Sequence, residues 1–230
     1  MMKKSMLALA SATVFASSLA QAAIQEGTDY TVLSKSIPQL QQNKVEVLEF
    51  FSYSCVHCYH LDPILLKHSK SFAADTYLRT EHVVWDPSML GLARIAAAVN
   101  ASGTKYQANP AIFNGMFEQK ANLGDPETFK SWAAKQTSFD SAKVLAAFNS
   151  VNNPIDAKRM QDLTAQNGID ATPMLIVGGK YRVKMRDFNQ GMQVVDELIA
   201  KVRQERGMQA AAPRVAPKSI GAAIAKSANR

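Results

Sequence analysis

The chain has 230 residues, 47% hydrophobic and 20% charged, with a formal charge of +7 and two cysteines. That apolar fraction excludes wholesale disorder, and two cysteines exclude a disulfide-stapled scaffold. Beyond the N-terminal segment no apolar run approaches the ~18 residues that a membrane helix needs. The pI near 9.4 raises nucleic-acid binding, but all 19 acidic residues lie within residues 23–205. The excess is carried by Lys3 and Lys4 at one end and by Arg206, Arg214, Lys218, Lys226 and Arg230 at the other. The middle is formally neutral, so no nucleic-acid partner is expected.

Lys3-Lys4, the apolar and small residues from Met6 to Leu19, and Ala20-Gln21-Ala22 form the charged region, apolar region and cleavage site of an export signal. Residues 1–22 are read as a signal peptide and the mature, soluble chain as starting near Ala23. An anchor helix would need a longer run, and no cysteine follows for a lipid anchor. Residues 207–230, rich in Ala, Pro, Lys and Arg without an aromatic residue, read as a basic disordered tail; adhesion to an acidic surface is the alternative reading.

Between these ends, Tyr30–Leu33 and the near-continuously apolar Val45–Phe51 are predicted strands. A helix is predicted from Val56 to Ala74, kinked or broken at Pro63, followed by a strand from Leu78 to Trp85. Ala-rich helical pattern then occupies Leu90–Asn100 and Ala111–Lys120. Asp125-Pro126 opens a further helix with an N-cap and an N1 proline. Another helix lies at Ser141–Asn149, and Asn153-Pro154 repeats the cap signal for one ending at Gly168. Met174–Val177 and Tyr181–Met185 form a hairpin through Gly178-Gly179, and an amphipathic helix closes the fold from Gly191 to Glu205. The order β, β, α, β, a block of helices, then α, β, β, α describes an α/β sheet domain with a helical insertion.

Both cysteines fall in Ser54-Cys55-Val56-His57-Cys58-Tyr59, where a strand meets a helix. At a helix N-terminus, free backbone N–H groups and the dipole favour a Cys55 thiolate, and His57 adds a donor and, when protonated, a positive charge. Whatever stabilises the thiolate favours the reduced pair and makes the disulfide an oxidant. A client thiol would attack Cys55, the better leaving group, and Cys58 would be the resolving thiol. A structural disulfide restricting so short a loop gains little. A zinc site using Cys55, Cys58 and His60 lacks a second ligand pair. Attachment of a c-type haem is excluded by Tyr59 where histidine is needed. Val45, Val47, Glu49 and Phe51 share a strand face by parity, so Glu49 reads as a buried carboxylate with a raised pKa that can relay a proton near Cys58, the alternative being an edge-exposed glutamate.

The stretch Val47–Tyr59 closely resembles the active-site segment of the DsbA family, bacterial periplasmic thiol–disulfide oxidoreductases. Asp170–Tyr181 is similar to the family as well, and the likeness extends over the mature chain to about residue 205. The resemblance implies a thioredoxin-like α/β fold with an inserted helical domain. Its two parts would be residues 23–87 and 151–206, with 88–150 as the insertion. It implies that Cys55 and Cys58 form the redox-active disulfide, that Glu49 is the family's buried carboxylate, and that Thr172-Pro173 is its cis-proline loop facing the disulfide. There the Thr172 backbone would pair with an extended client strand. Two positions depart from the pattern: Val56 stands where well-known members have proline, and Thr172 where valine is common.

The expected function is a dithiol oxidase of exported proteins, in the periplasm of a Gram-negative bacterium. It would act as a monomer without cofactor or metal, reoxidised by a membrane quinone-linked enzyme resembling DsbB. The alternatives are a disulfide isomerase or reductase, suggested by Thr172, and a non-catalytic envelope chaperone or metal carrier. The isomerase reading meets a difficulty, since about 20 residues between Ala23 and Val45 cannot form a dimerisation domain of ~50 residues. Lys180, Arg182, Lys184 and Arg186 alternate along the last strand, as a docking stripe for acidic clients or as a charged sheet edge. Phe113, Met116 and Phe117 line a client groove or belong to the core.

Overall fold

The computed structural model describes residues 24–209; the expected signal peptide and nearly all of the basic tail lie outside them. The elements are β1 (Tyr30–Val32), β2 (Val45–Phe51), α1 (Val56–Ser69), β3 (Thr76–His82), α2 (Leu90–Ser102), α3 (Lys105–Phe117), α4 (Pro126–Ala133), α5 (Ser141–Phe148), α6 (Asn153–Gln166), β4 (Met174–Val177), β5 (Tyr181–Val183) and α7 (Phe188–Glu205). The strands make one mixed sheet in the order β1-β5-β4-β2-β3. Central β2 runs parallel to β3 and antiparallel to β4. Its residues are buried on both faces, as the unbroken apolar run requires.

On one face Val45, Val47, Leu175 and Val177 pack against Leu61 and Leu65 of α1 and Val195 and Leu198 of α7. On the other, Leu48, Phe50 and Ile176 meet Ile37, Val83 and the partly buried Leu163 of α6. The helical segment has a third core of Ile95, Ile112, Phe129, Val144 and Phe148, continuous with Phe51, Tyr53 and Cys58. The helices thus pack directly onto the end of β2 where the cysteines lie. Among the described residues no helix is long and apolar enough to cross a membrane.

Several local signals act as read. Asp125 caps α4 by accepting the Thr128 N–H at 2.8 Å, and Gly178 and Gly179, at φ +64° and +70°, turn β4 into β5. Others are corrected. Helix α1 is not broken at Pro63, because the buried Leu61, Leu65 and Leu66 around it hold the helix against one missing hydrogen bond. Helix α3 likewise starts six residues before Ala111 and contains Pro110. Strand β3 ends at His82, since the Val84 N–H turns away to the Thr164 hydroxyl. Asn153 is no cap: its amide is exchanged with Arg94 of α2, as acceptor of Nε and donor to the carbonyl, both at 2.8 Å.

The basic stripe also dissolves. Strand β5 lies inside the sheet, between β1 and β4, so it is not an edge. Each cation has its own oxygen partner: Lys180 pairs with Glu205, Arg182 with Asp170 and Arg186 with Asp29, while Lys184 donates to the Gly27 carbonyl.

Gly179 also seats the loop before β2. Its carbonyl accepts the Ile37 N–H, and a Cβ there would lie 2.1 Å from the Ile37 carbonyl oxygen. Gly27, at φ +84°, has open space around it. Urea unfolding is therefore expected to show Gly27→Ala losing roughly 1–2 kcal/mol, the cost of a left-handed alanine, and Gly179→Ala losing clearly more. Equal losses would contradict the close packing.

Candidate active site: the Cys55–Cys58 turn

Strand β2 ends at Phe51 and the chain turns through Ser52–Cys55 into α1. The Ser52 carbonyl accepts the Cys55 N–H at 3.0 Å, and the Ser52 and Ser54 hydroxyls lie 2.9 Å apart. Cys55 takes the N-cap position, with extended backbone at φ −95° and ψ 116°. Its sulfur accepts the Cys58 N–H at 3.3 Å, the service a Ser or Asp oxygen normally gives a helix start. Both thiols are free, Cys55 half-exposed and Cys58 buried.

The two sulfurs have opposed acidities. Hydrogen bonding from Cys58 brings the Cys55 thiol down to about 5; burial opposes this, and Thr172 and the backbone N–H groups of Cys58 and His57 add to it. The same bond to Cys55 pushes Cys58 far up, reinforced by burial and by the Glu49 carboxylate. Thr172 faces Cys55 from the loop before β4: its carbonyl is 3.5 Å from the sulfur, and the Thr172–Pro173 bond is cis. Both loop residues are partly accessible beside the turn. His57 differs from expectation. Its imidazole is exposed, no hydrogen bond to it occurs among the described residues, and what supports the Cys55 sulfur is its backbone amide.

Glu49 is buried in β2. Its carboxyl is raised to about 8, chiefly by burial, further by Asp62 and Cys55, with Lys105 opposing. Asp62 went unremarked in the sequence, although it sits four residues after Cys58 and so on the same helix face. Burial raises it to about 7. Asn109 of α3 donates to Asp62 Oδ1 at 3.1 Å and accepts from the Tyr53 hydroxyl at 2.7 Å, while Asp62 Oδ2 has no partner among the described residues. Lys105, pushed down to about 8 by burial, donates to the Leu78 carbonyl. Phe113 is core, whereas Met116 and Phe117 are partly exposed, and Phe117 stacks on Tyr59 at 5.1 Å. Among the described residues no group of three or more His, Cys, Asp or Glu side chains is placed to hold a metal ion.

A half-exposed thiolate beside a buried, protonated thiol, with a protonated carboxyl nearby, can exchange a disulfide with an incoming thiol. Two measurements check these electrostatics. Thiolate absorbance of the reduced protein is expected to titrate once near pH 5. Since the folded value lies below the unfolded one, the stability Cys55 contributes is complete above about pH 9 and is lost as pH falls to about 5. A midpoint above 8 would contradict the cap. Glu49 has the opposite sign: its folded value is raised from 4.5 to about 8, so its contribution is present below 4.5 and is lost as pH rises through 8. Glu49→Gln should therefore stabilise the protein at pH 8, by on the order of a few kcal/mol, and leave it unchanged at pH 4. Equal urea midpoints for variant and native protein at pH 8 would refute this burial cost.

No protein-family model matches the chain. The thiol:disulfide interchange protein DsbA of Burkholderia cepacia is 30% identical over 212 residues, which span 89% of this chain and all of that one. The crystal structure of reduced DsbA1 from Neisseria meningitidis superposes with a TM-score of 0.79 at 53% identity, covering 81% of this chain and 99% of that one. The oxidoreductase NmDsbA3 of the same organism gives 0.73 at 55% identity, covering 80% of this chain and all of that one. With its sheet, its helical segment and this degree of likeness, the chain belongs to the DsbA family and is a thiol:disulfide oxidoreductase of thioredoxin-like fold.

Proposed function

We propose that Cys55 and Cys58 are the redox pair and that the oxidised protein donates their disulfide to cysteine pairs of exported proteins in the periplasm. A client thiolate attacks the Cys55 sulfur, the Cys55–Cys58 bond breaks, and its electron pair goes to Cys58, which takes a proton from the Glu49 carboxyl. The client's second thiolate then attacks the client sulfur of the mixed disulfide, and Cys55 leaves as a thiolate. The client loses two electrons and gains one S–S bond; the Cys55–Cys58 pair gains two electrons. The Thr172 backbone beside Cys55 receives the client strand next to Pro173, and the exposed His57 ring stands at the client's entry.

The opposed acidities of the two sulfurs carry this reading. At pH 7 only the two pH units between about 5 and 7 count towards stabilising the thiolate. They weaken the disulfide about a hundredfold, or by ~60 mV for a two-electron couple. The remaining parts of the reading rest on sequence and on the family. Residues 1–22 direct export, residues 88–150 form a helical domain inserted between 23–87 and 151–206, and 207–230 is a basic tail. The protein works as a monomer, and a quinone-linked membrane enzyme resembling DsbB restores its disulfide.

Equilibration with glutathione is expected to place the potential at least ~60 mV above thioredoxin's, which is about −270 mV, and Cys55→Ser should abolish oxidation of a dithiol peptide. A potential as low as thioredoxin's, or full oxidase activity in Cys55→Ser, would reject the proposal.

A further inference from the structure

The turn that carries Cys55 depends on a residue that enters none of these steps. His82 is the last residue of β3, buried and level with Phe51 in the parallel register. The β2–β3 ladder ends there, with the Val83 N–H donating to the Phe51 carbonyl at 2.8 Å. One residue beyond Ser52, Tyr53 is buried too, and its amide needs a partner that no strand supplies. That partner is His82: the Tyr53 N–H donates to Nε2 at 3.1 Å. The other ring nitrogen, Nδ1, lies 2.6 Å from the Val83 carbonyl oxygen.

These contacts settle the state of the ring. A carbonyl only accepts, so Nδ1 carries the proton; an amide N–H only donates, so Nε2 is bare. The imidazole is neutral and both nitrogens are committed. The Phe51 and Tyr53 rings pack against it at centroid distances of 5.4 and 5.7 Å, and burial holds its pKa down to about 4. The Tyr53 amide lies inside the turn that the Cys55 N–H closes onto the Ser52 carbonyl, so fixing that amide fixes where Cys55 enters α1.

We propose that His82 is a positioning residue of the redox reaction, setting the Ser52–Cys55 turn through the Tyr53 amide and thereby placing the Cys55 sulfur against the Cys58 amide. The inference rests on Cys55 being the reacting thiol. It makes β3, which holds no redox residue, a determinant of oxidising strength.

The test compares His82→Leu, which fills the space without an acceptor, with His82→Gln, which keeps an acceptor at the ε position. Thiolate absorbance of the reduced form and the equilibrium constant with glutathione are read for each. In His82→Leu the midpoint should rise by about one pH unit, and at pH 7 the protein should become about tenfold weaker as an oxidant. His82→Gln should recover most of both. A folded His82→Leu with native midpoint and native equilibrium constant overturns the proposal, as does a His82→Gln no closer to native than His82→Leu. If His82→Leu does not fold, nitrogen NMR of the native imidazole decides: a proton on Nδ1 with a coupling from the Tyr53 amide to Nε2 supports the clamp, and a proton on Nε2 refutes it. Native protein that fails to oxidise a dithiol peptide would refute the role of Cys55 instead, a result these readouts keep separate.

Discussion

The sulfur of Cys55 caps helix α1, and the chemistry of the site follows from that one contact. A cap must accept hydrogen bonds from the first free amides of a helix, and sulfur accepts them far better as an anion. The Cys58 amide at 3.3 Å therefore serves both the helix and the thiolate. Because Cys58 stands one turn inside the helix and is buried, the same geometry that makes one sulfur acidic keeps its partner protonated. The pair is asymmetric by position, before any neighbouring charge acts.

Of the neighbouring carboxylates Glu49 adds to that asymmetry, and the face each occupies decides how it is held. Glu46 and Glu49 stand three residues apart on β2, and both are buried. Glu46 accepts from the Tyr77 hydroxyl at 2.5 Å and lies 3.5 Å from the Arg79 guanidinium. Glu81 is likewise gripped by Arg79 and, in bidentate fashion, by Arg159. These are compensated ions that join the sheet to α6. Glu49, on the other face, shares its surroundings with a second acid, Asp62, and with the reluctant cation Lys105. Its burial cost is left largely uncompensated, which suits a group that holds a proton near neutrality.

How much of this was legible depended on how local the cause is. The C-x-x-C at the strand–helix junction, the Gly178-Gly179 turn and the Asp125 cap are decided by residues within a few positions of one another, and all could be read. Glu49 was found because strand parity is a two-residue rule. The Thr172-Pro173 loop was reached through resemblance, since nothing local sets it opposite Cys55, 117 residues away. What escaped was non-local. Strand order placed β5 inside the sheet, where its cations pair off one by one. The Asn109 bridge spans 47 residues to Asp62 and 56 to Tyr53. The His82 contact with Tyr53 crosses 29. The packing that carries α1 unbroken through Pro63 likewise lies elsewhere in the chain.

The continuity of the helical core with Phe51, Tyr53 and Cys58 ties helices α2–α5 to the site. They pack onto the Cys55–Cys58 turn, and Asn109 joins the two, accepting from Tyr53 in the turn and donating to Asp62 in α1. Replacing Asn109 on the inner side of α3 therefore alters the electrostatics around Asp62 and Glu49 as well as the packing. The packing of the helical segment and the acidity of Asp62 and Glu49 are therefore coupled through one side chain.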